Sequence, residues 1–123
     1  MNYNDIYDGF INLFPEDKKT FEELSSTNGA CKEDGMHIMF GMVVVPFLKK
    51  IVINEPDKAQ IAFEYIEKME TSGNSDIAEV VEFTILETLL DSDDKQDILE
   101  NCIKYMGKET KSALEAISGW FRP

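Results

Sequence analysis

The acidic residues of this chain are of a type, and occur at a spacing, that could bind a metal. Glutamates recur at intervals of three at Glu64, Glu67 and Glu70. Helical di-metal sites also use histidines at this spacing, and the single histidine, His37, lies elsewhere. The acidic segment 91–102 resembles a calcium loop, but it has glutamine where that loop needs glycine and cysteine where it needs the final glutamate. We therefore expect no metal and no other cofactor.

The two cysteines could support nucleophilic catalysis only by pairing with His37. Cys102 falls on an apolar helical stripe and is expected in the core, whereas Cys31 follows a turn. The sequence contains no glycine-rich phosphate loop, no nucleophile elbow and no Cys-x-x-Cys pair. These patterns predict a protein that is not an enzyme and has no catalytic residues.

The string from Glu33 to His37 has two interpretations. Asp34 can cap a helix that begins near Gly35, with Glu33 close to the positive end of that helix. Alternatively, Glu33, Asp34 and His37 contact a binding partner. Both interpretations remain open at the level of sequence.

Negative charge is concentrated in one part of the chain. The 123 residues include 24 acidic and 12 basic ones, which gives a net charge of -12. The segment 55–100 holds 14 of the acids and three of the lysines, so it carries a net charge of -11. Such a surface repels phosphates and anionic lipids, which argues against direct binding to nucleic acid or membranes. It favours a basic protein partner.

The spacing of these acids predicts where such a partner binds. Four acids of the segment 75–90 fall within about 140° of arc on one helix, and three acids of the segment 56–70 form a ridge on the preceding helix. Together with the polar residues of the string 33–37, they make up the candidate partner-binding residues, which are Glu33, Asp34, His37, Glu64, Glu67, Glu70, Asp76, Glu79, Glu82 and Glu87.

The apolar spacing predicts an all-α fold that positions these acids. Glycine, proline and polar turns divide the chain into about six to seven helices, which we expect to form a single compact domain over residues 1–123. The segments 56–70 and 75–90 predict an antiparallel hairpin, and further hairpins could extend it into a short repeat-like stack. Apolar residues surround most of the second segment, Phe83 included, which predicts a helix packed on several sides.

Two other segments carry specific predictions. Residues 36–53 contain three consecutive valines that favour a strand and Pro46, which denies a helix one backbone hydrogen bond. We expect a central apolar helix kinked or broken at Pro46, with a pair of strands as the alternative. The segment 94–106 predicts a helix that ends with Gly107 as its C-cap, and 108–120 predicts the last helix.

The expected location is the cytoplasm. Two cysteines without an evident partner are typical of a reducing compartment. The first residues lack the basic and apolar regions of a signal peptide. The longest uncharged run, residues 35–48, is shorter than the ~20 residues that cross a bilayer.

Several short strings between residues 10 and 90 form a recognisable pattern, namely Phe14-Pro15-Glu16, residues 33–40, Pro46-Phe47, residues 63–69 and residues 80–89. This pattern resembles small acidic, mainly α-helical immunity proteins of bacterial polymorphic-toxin and contact-dependent inhibition systems. The resemblance implies a protein without enzymatic activity that binds a cognate toxin domain, often a basic nuclease, and blocks its active site or substrate groove. It also implies that partner contacts fall among Glu33, Asp34, His37, Glu64, Glu67, Glu82 and Glu87.

The predicted function is therefore that of an immunity protein whose acidic helices occlude a basic toxin domain. The alternative is an acidic regulatory adaptor or nucleic-acid mimic that binds a host DNA- or RNA-binding protein. The toxin, its activity and the stoichiometry of the complex stay open.

Overall fold

The computed structural model of the protein describes residues 1–92 and 96–119. Within these residues seven helices surround one hydrophobic core and no strand is present, which confirms the predicted all-α fold. Short 3₁₀ turns precede the first three helices. In chain order the helices are α1 (Ile6–Ile11), α2 (Lys18–Asn28), α3 (Met36–Asn54), α4 (Pro56–Glu70), α5 (75–90), α6 (Gln96–Tyr105) and α7 (Lys108–Ser118).

Helix α3 runs unbroken through Pro46 because its backbone widens just before the proline. Pro46 has no N–H to donate to the carbonyl of Met42, and its ring would crowd that carbonyl in a regular α-helix. The backbone is π-helical over Phe40–Val44. The free carbonyl of Met42 accepts a hydrogen bond from the side-chain amide of Asn28, with an N–O distance of 2.6 Å. A local π-helix therefore replaces the predicted break, and the strand alternative is wrong.

Helix α3 is the central element of the fold. It contacts α1, α2, α4, α5 and α6, and residues such as Phe40, Val43 and Leu48 are completely buried. Its 19 residues are also long and apolar enough to pass a length-and-composition test for a membrane span. The core helix of a folded domain passes the same test, and half of α3 is buried inside this fold.

An aromatic cluster holds α1 onto α3 and α4. Phe10 is completely buried. The hydroxyl of Tyr65 donates to the carbonyl of Ile6 at 2.9 Å, and a side chain at Gly9 would lie 2.4 Å from that hydroxyl. The centre of the Phe10 ring lies 5.4–6.3 Å from five neighbouring ring centres, those of Phe14, Phe21, Phe40, Phe47 and Tyr65.

Helices α4 and α5 form the predicted hairpin across the connector 71–74. The side chain of Asn74 begins α5 by accepting hydrogen bonds from the backbone N–H groups of Asp76 and Ile77, at 3.0 and 3.3 Å. The apolar positions that the spacing of α4 directs inward are all buried, which confirms that pattern; they are Ala59, Ala62, Phe63, Ile66 and Met69.

The prediction that Gly107 caps the end of α6 is wrong. Gly107 has an extended backbone (φ -73°, ψ 172°) and is instead the N-cap residue of α7. A Cβ at this position would lie 2.4 Å from Cδ of Glu67, so glycine is required for a close approach and not for a left-handed turn. The predicted start of α6 at residue 94 and the predicted end of α7 at residue 120 lie outside the described residues.

Candidate functional site

One face of α5 carries three of the predicted partner-binding residues to the surface. Helix α5 buries Ile77, Val80, Val81, Thr84, Ile85 and Leu86. The opposite side exposes Asp76, Glu79 and Glu87 together with Phe83, whose ring is 53% exposed. These four residues are called the α5 face below. The expectation that Phe83 packs like its apolar neighbours is wrong, because no helix covers this side of α5 in the described structure.

Phe83 is the residue of the α5 face that lies on irregular backbone. Residues Val81–Leu86 are π-helical and pack against the π-helical segment of α3. A side chain at Gly41 would lie 3.4 Å from Cγ2 of Thr84, and Nδ1 of His37 forms a hydrogen bond with Oγ1 of Thr84. This bond fixes the exposed His37 beside the α5 face. Single π-helical turns frequently occur at functional sites.

The carboxylate of Asp34 forms hydrogen bonds within the turn that contains it. Its Oδ2 accepts a hydrogen bond from the backbone N–H of Cys31 at 2.9 Å and lies 3.4 Å from the Cys31 sulfur. The predicted cap on α3 is wrong, because Gly35 is the N-cap residue and no described side chain caps that helix. Hydrogen bonds to Glu33 and then Asp34 raise the pKa of the Cys31 thiol, which makes this exposed cysteine a poor nucleophile.

Glu67 faces another helix of the same protein. Its Oε2 accepts from the backbone N–H of Glu109 at 2.9 Å, and its Oε1 accepts from the N–H and hydroxyl of Thr110 at 2.8 and 2.7 Å. Burial favours a higher pKa for Glu67, but these hydrogen bonds outweigh it and hold the pKa below its usual value. The carboxylate therefore satisfies the positive N-terminus of α7. We regard Glu67 as an internal cap and not as a free contact residue.

Glu70 and Glu82 form a half-buried carboxyl pair that joins α4 to α5. Their side chains share a hydrogen bond, and Oε1 of Glu70 is buried with no hydrogen-bond partner among the described residues. Burial, the contact with Glu82 and the charges of Glu67 and Glu109 raise the pKa of Glu70 to about 8. Near neutral pH the Glu70 carboxyl is therefore largely protonated and uncharged.

We expect Glu70→Gln to stabilise the protein at pH 8 and to change little at pH 5. Folding raises the pKa of Glu70 from 4.5 to about 8. The folded state thus keeps a proton that the unfolded state loses, and stability falls as the pH rises through this window. Glutamine retains the hydrogen bond to Glu82 without the charge. The gain should be of the order of 1 kcal/mol, or a few degrees in the thermal midpoint, because solvent screens a half-exposed pair.

Thermal unfolding at pH 5 and pH 8 measures this effect. The matched control is Glu64→Gln on the same helix, where the carboxylate is exposed and accepts a hydrogen bond from the side-chain amide of Gln60 at 3.0 Å. An equal gain at both pH values for Glu70→Gln would contradict the raised pKa of Glu70.

Lys58, near the start of α4, forms ion pairs with acids of the same protein. The ammonium of Lys58 lies 2.7 Å from Asp17, 3.0 Å from Glu55 and 3.5 Å from Glu16. The hydrogen bond to Asp17 is the main reason that the pKa of Lys58 is raised. None of the ion pairs seen in the described residues involves an acid of the α5 face.

The site offers charge and an apolar side chain more than reaction chemistry. In residues 1–92 and 96–119, no group of three or more histidine, cysteine, aspartate or glutamate side chains is placed to hold a metal ion. Cys102 is completely buried, and burial raises the pKa of its thiol to about 12. The α5 face therefore presents three exposed carboxylates and one exposed aromatic side chain.

A cleft of about 550 Å³ was missed by the sequence reasoning. It lies between α1, α2 and the turn before α3, with Tyr7, Phe21 and Met39 on its apolar side and Lys18 and Lys32 among its polar residues. None of the ten candidate residues lines it. The spacing of residues within one helix cannot predict this cleft, because four separate segments of the chain form it.

The family of the chain is shown by its sequence match. Residues 7–120 match a family described as Domain of unknown function (DUF7674). No curated protein and no solved structure matches the chain. Because the family match extends over nearly the whole fold described above, this chain belongs to the DUF7674 family.

Proposed function

We propose that this protein is an inhibitor of the immunity-protein kind, which binds a basic toxin domain through the α5 face. The observation that carries this proposal is the exposure of Asp76, Glu79 and Glu87 on one side of α5. None of these three side chains takes part in an ion pair seen among the described residues, where the lysines that do pair with acids are Lys32 and Lys58. No catalytic residue is required of the inhibitor.

Occlusion is the mechanism that this charge distribution supports. A nuclease binds phosphates with lysine and arginine side chains, and the carboxylates of the α5 face would form ion pairs with those side chains. A field of one sign also accelerates encounter, so association should be fast at low salt and slower as salt screens the charges. Glu64 and Glu33, both exposed, lie outside the α5 face and would act at most on its margin.

We expect the double variant Glu79→Lys and Glu87→Lys to weaken binding about tenfold or more at low salt. The two reversals replace attraction by repulsion at the centre of the proposed interface, so most of the loss should appear in the association rate. The thermal midpoint should change little, because both side chains are exposed. Surface plasmon resonance against a candidate basic toxin domain, at low and high salt, measures the effect, and growth rescue on co-expression reports inhibition.

The matched control places the same charge change on α6, as Asp97→Lys with Glu100→Lys, where both residues are also exposed. This control separates position from net charge. Equal losses in the two double variants would show that only bulk charge matters. If the wild-type protein gives no protection but binds a host DNA-binding protein through Glu79 and Glu87, the regulatory-adaptor alternative replaces the immunity function.

A further inference from the structure

Phe83 differs from the other phenylalanines that the structure describes. Its ring is 53% exposed, whereas the remaining six described rings are at most 3% exposed; they are Phe10, Phe14, Phe21, Phe40, Phe47 and Phe63. Single exposed apolar residues are common on protein surfaces. Phe83 is distinguished by its surroundings, because Glu79 and Glu87 lie four residues before and after it on the same exposed side of α5.

We infer that Phe83 is the apolar anchor of the partner interface and that the partner presents a nonpolar pocket bordered by lysine or arginine. This inference rests on the proposed function and names the chemistry of its partner. Interfaces concentrate binding energy in a few central apolar or aromatic side chains, with polar residues around them. Phe83 with its flanking carboxylates has this arrangement.

The backbone around Phe83 is held in place before binding. The adjacent residue, Thr84, is buried against Gly41 and forms a hydrogen bond with His37. His37 and Gly41 belong to α3. The residues that follow them, Ile38 and Met42, are 37% and 42% exposed. A preorganised anchor loses less conformational entropy on binding, which favours affinity.

Charge decides which occupant fits this face. In a symmetric dimer the same patch faces itself, so Asp76, Glu79 and Glu87 of one copy would meet the same acids of the other. An anionic lipid surface would be repelled as well. A basic protein surface is attracted by the carboxylates and can cover the ring, so it is the occupant we infer.

Two defined peptides test the inference on the full-length protein. One is an amphipathic helical peptide with leucines on one side and lysines on the other, and the second is decalysine, which offers charge alone. We expect tighter binding of the leucine–lysine peptide, measured by fluorescence anisotropy at low salt. Phe83→Ala should weaken that binding by roughly tenfold and change decalysine binding by less than about twofold. Phe83→Leu should restore part of the loss.

Ile53→Ala is the matched control, because Ile53 is 58% exposed on α3 but follows two lysines, Lys49 and Lys50, instead of acids. It should change neither affinity. Circular dichroism checks that each variant is folded. The anchor role of Phe83 would be wrong if Phe83→Ala weakened binding of both peptides to the same degree. It would also be wrong if Phe83→Ala weakened binding of neither peptide.

The remaining outcomes separate the anchor from the proposed function. If decalysine binds and the Glu79→Lys, Glu87→Lys variant abolishes that binding while Phe83→Ala has no effect on either peptide, the acidic surface stands and the anchor does not. If the wild-type protein binds neither peptide, both fail. If light scattering shows a dimer that Phe83→Ala converts to a monomer, the occupant is a second copy and the inferred basic partner is wrong.

Discussion

Phe10→Ala is expected to lower the free energy of unfolding by about 3–5 kcal/mol, a large fraction of the stability of a domain of this size. Phe10 is completely buried, and its ring meets five other aromatic rings. Alanine would leave a cavity at the centre of that cluster. Helix α1 has only six residues and cannot persist without this packing. Urea unfolding followed by circular dichroism measures the loss.

Phe83→Ala is the matched control for this measurement, since it removes the same atoms from a ring that is 53% exposed. Its cost should stay below about 1 kcal/mol because little buried contact is lost. The comparison thus separates the burial of the ring from its removal. Similar losses in the two variants would contradict the assignment of Phe10 to the core and Phe83 to the surface.

The helices of the fold were predictable where the spacing of apolar residues along the chain indicates which side chains are buried. The five apolar positions that the helical spacing directs inward on α4 are all buried as expected. The continuity of α3 was not predictable, because the proline at position 46 frees the carbonyl of Met42 and the group that satisfies it belongs to Asn28. That partner lies on another helix, so the pattern within α3 contains no sign of it.

The candidate site was predictable as a region of charge but not as a set of exposed residues. Spacing correctly groups Asp76, Glu79 and Glu87 on one side of a helix, and the structure exposes all three. It also groups Glu67 with them on the hairpin, although α7 packs against α4 and draws Glu67 inward. The period of a helix shows which residues share a side, whereas the helix that covers that side is set by tertiary packing.

Glu67→Ala is expected to destabilise the protein by about 3 kcal/mol and to lower its thermal midpoint by roughly 10 °C. The carboxylate accepts three hydrogen bonds from Glu109 and Thr110, and Thr110 is completely buried. Alanine would leave these donors unsatisfied at the N-terminus of α7. Because the pKa of Glu67 is lowered by folding, its contribution is fully present above its usual pKa of 4.5 and is lost as the pH falls through the lowered value.

Two further variants test whether this carboxylate acts as the cap of α7. Glu64→Ala removes an exposed carboxylate one turn earlier on α4 and should cost well under 1 kcal/mol. Gly107→Ala should destabilise the wild-type protein, because its Cβ would lie 2.4 Å from Cδ of Glu67. The same substitution should cost far less in the Glu67→Ala protein, where that carboxylate is absent. A double-mutant cycle by thermal unfolding measures this coupling. Additive losses would mean that Glu67 does not occupy the space at Gly107, whereas strong coupling would explain why glycine stands where α7 begins.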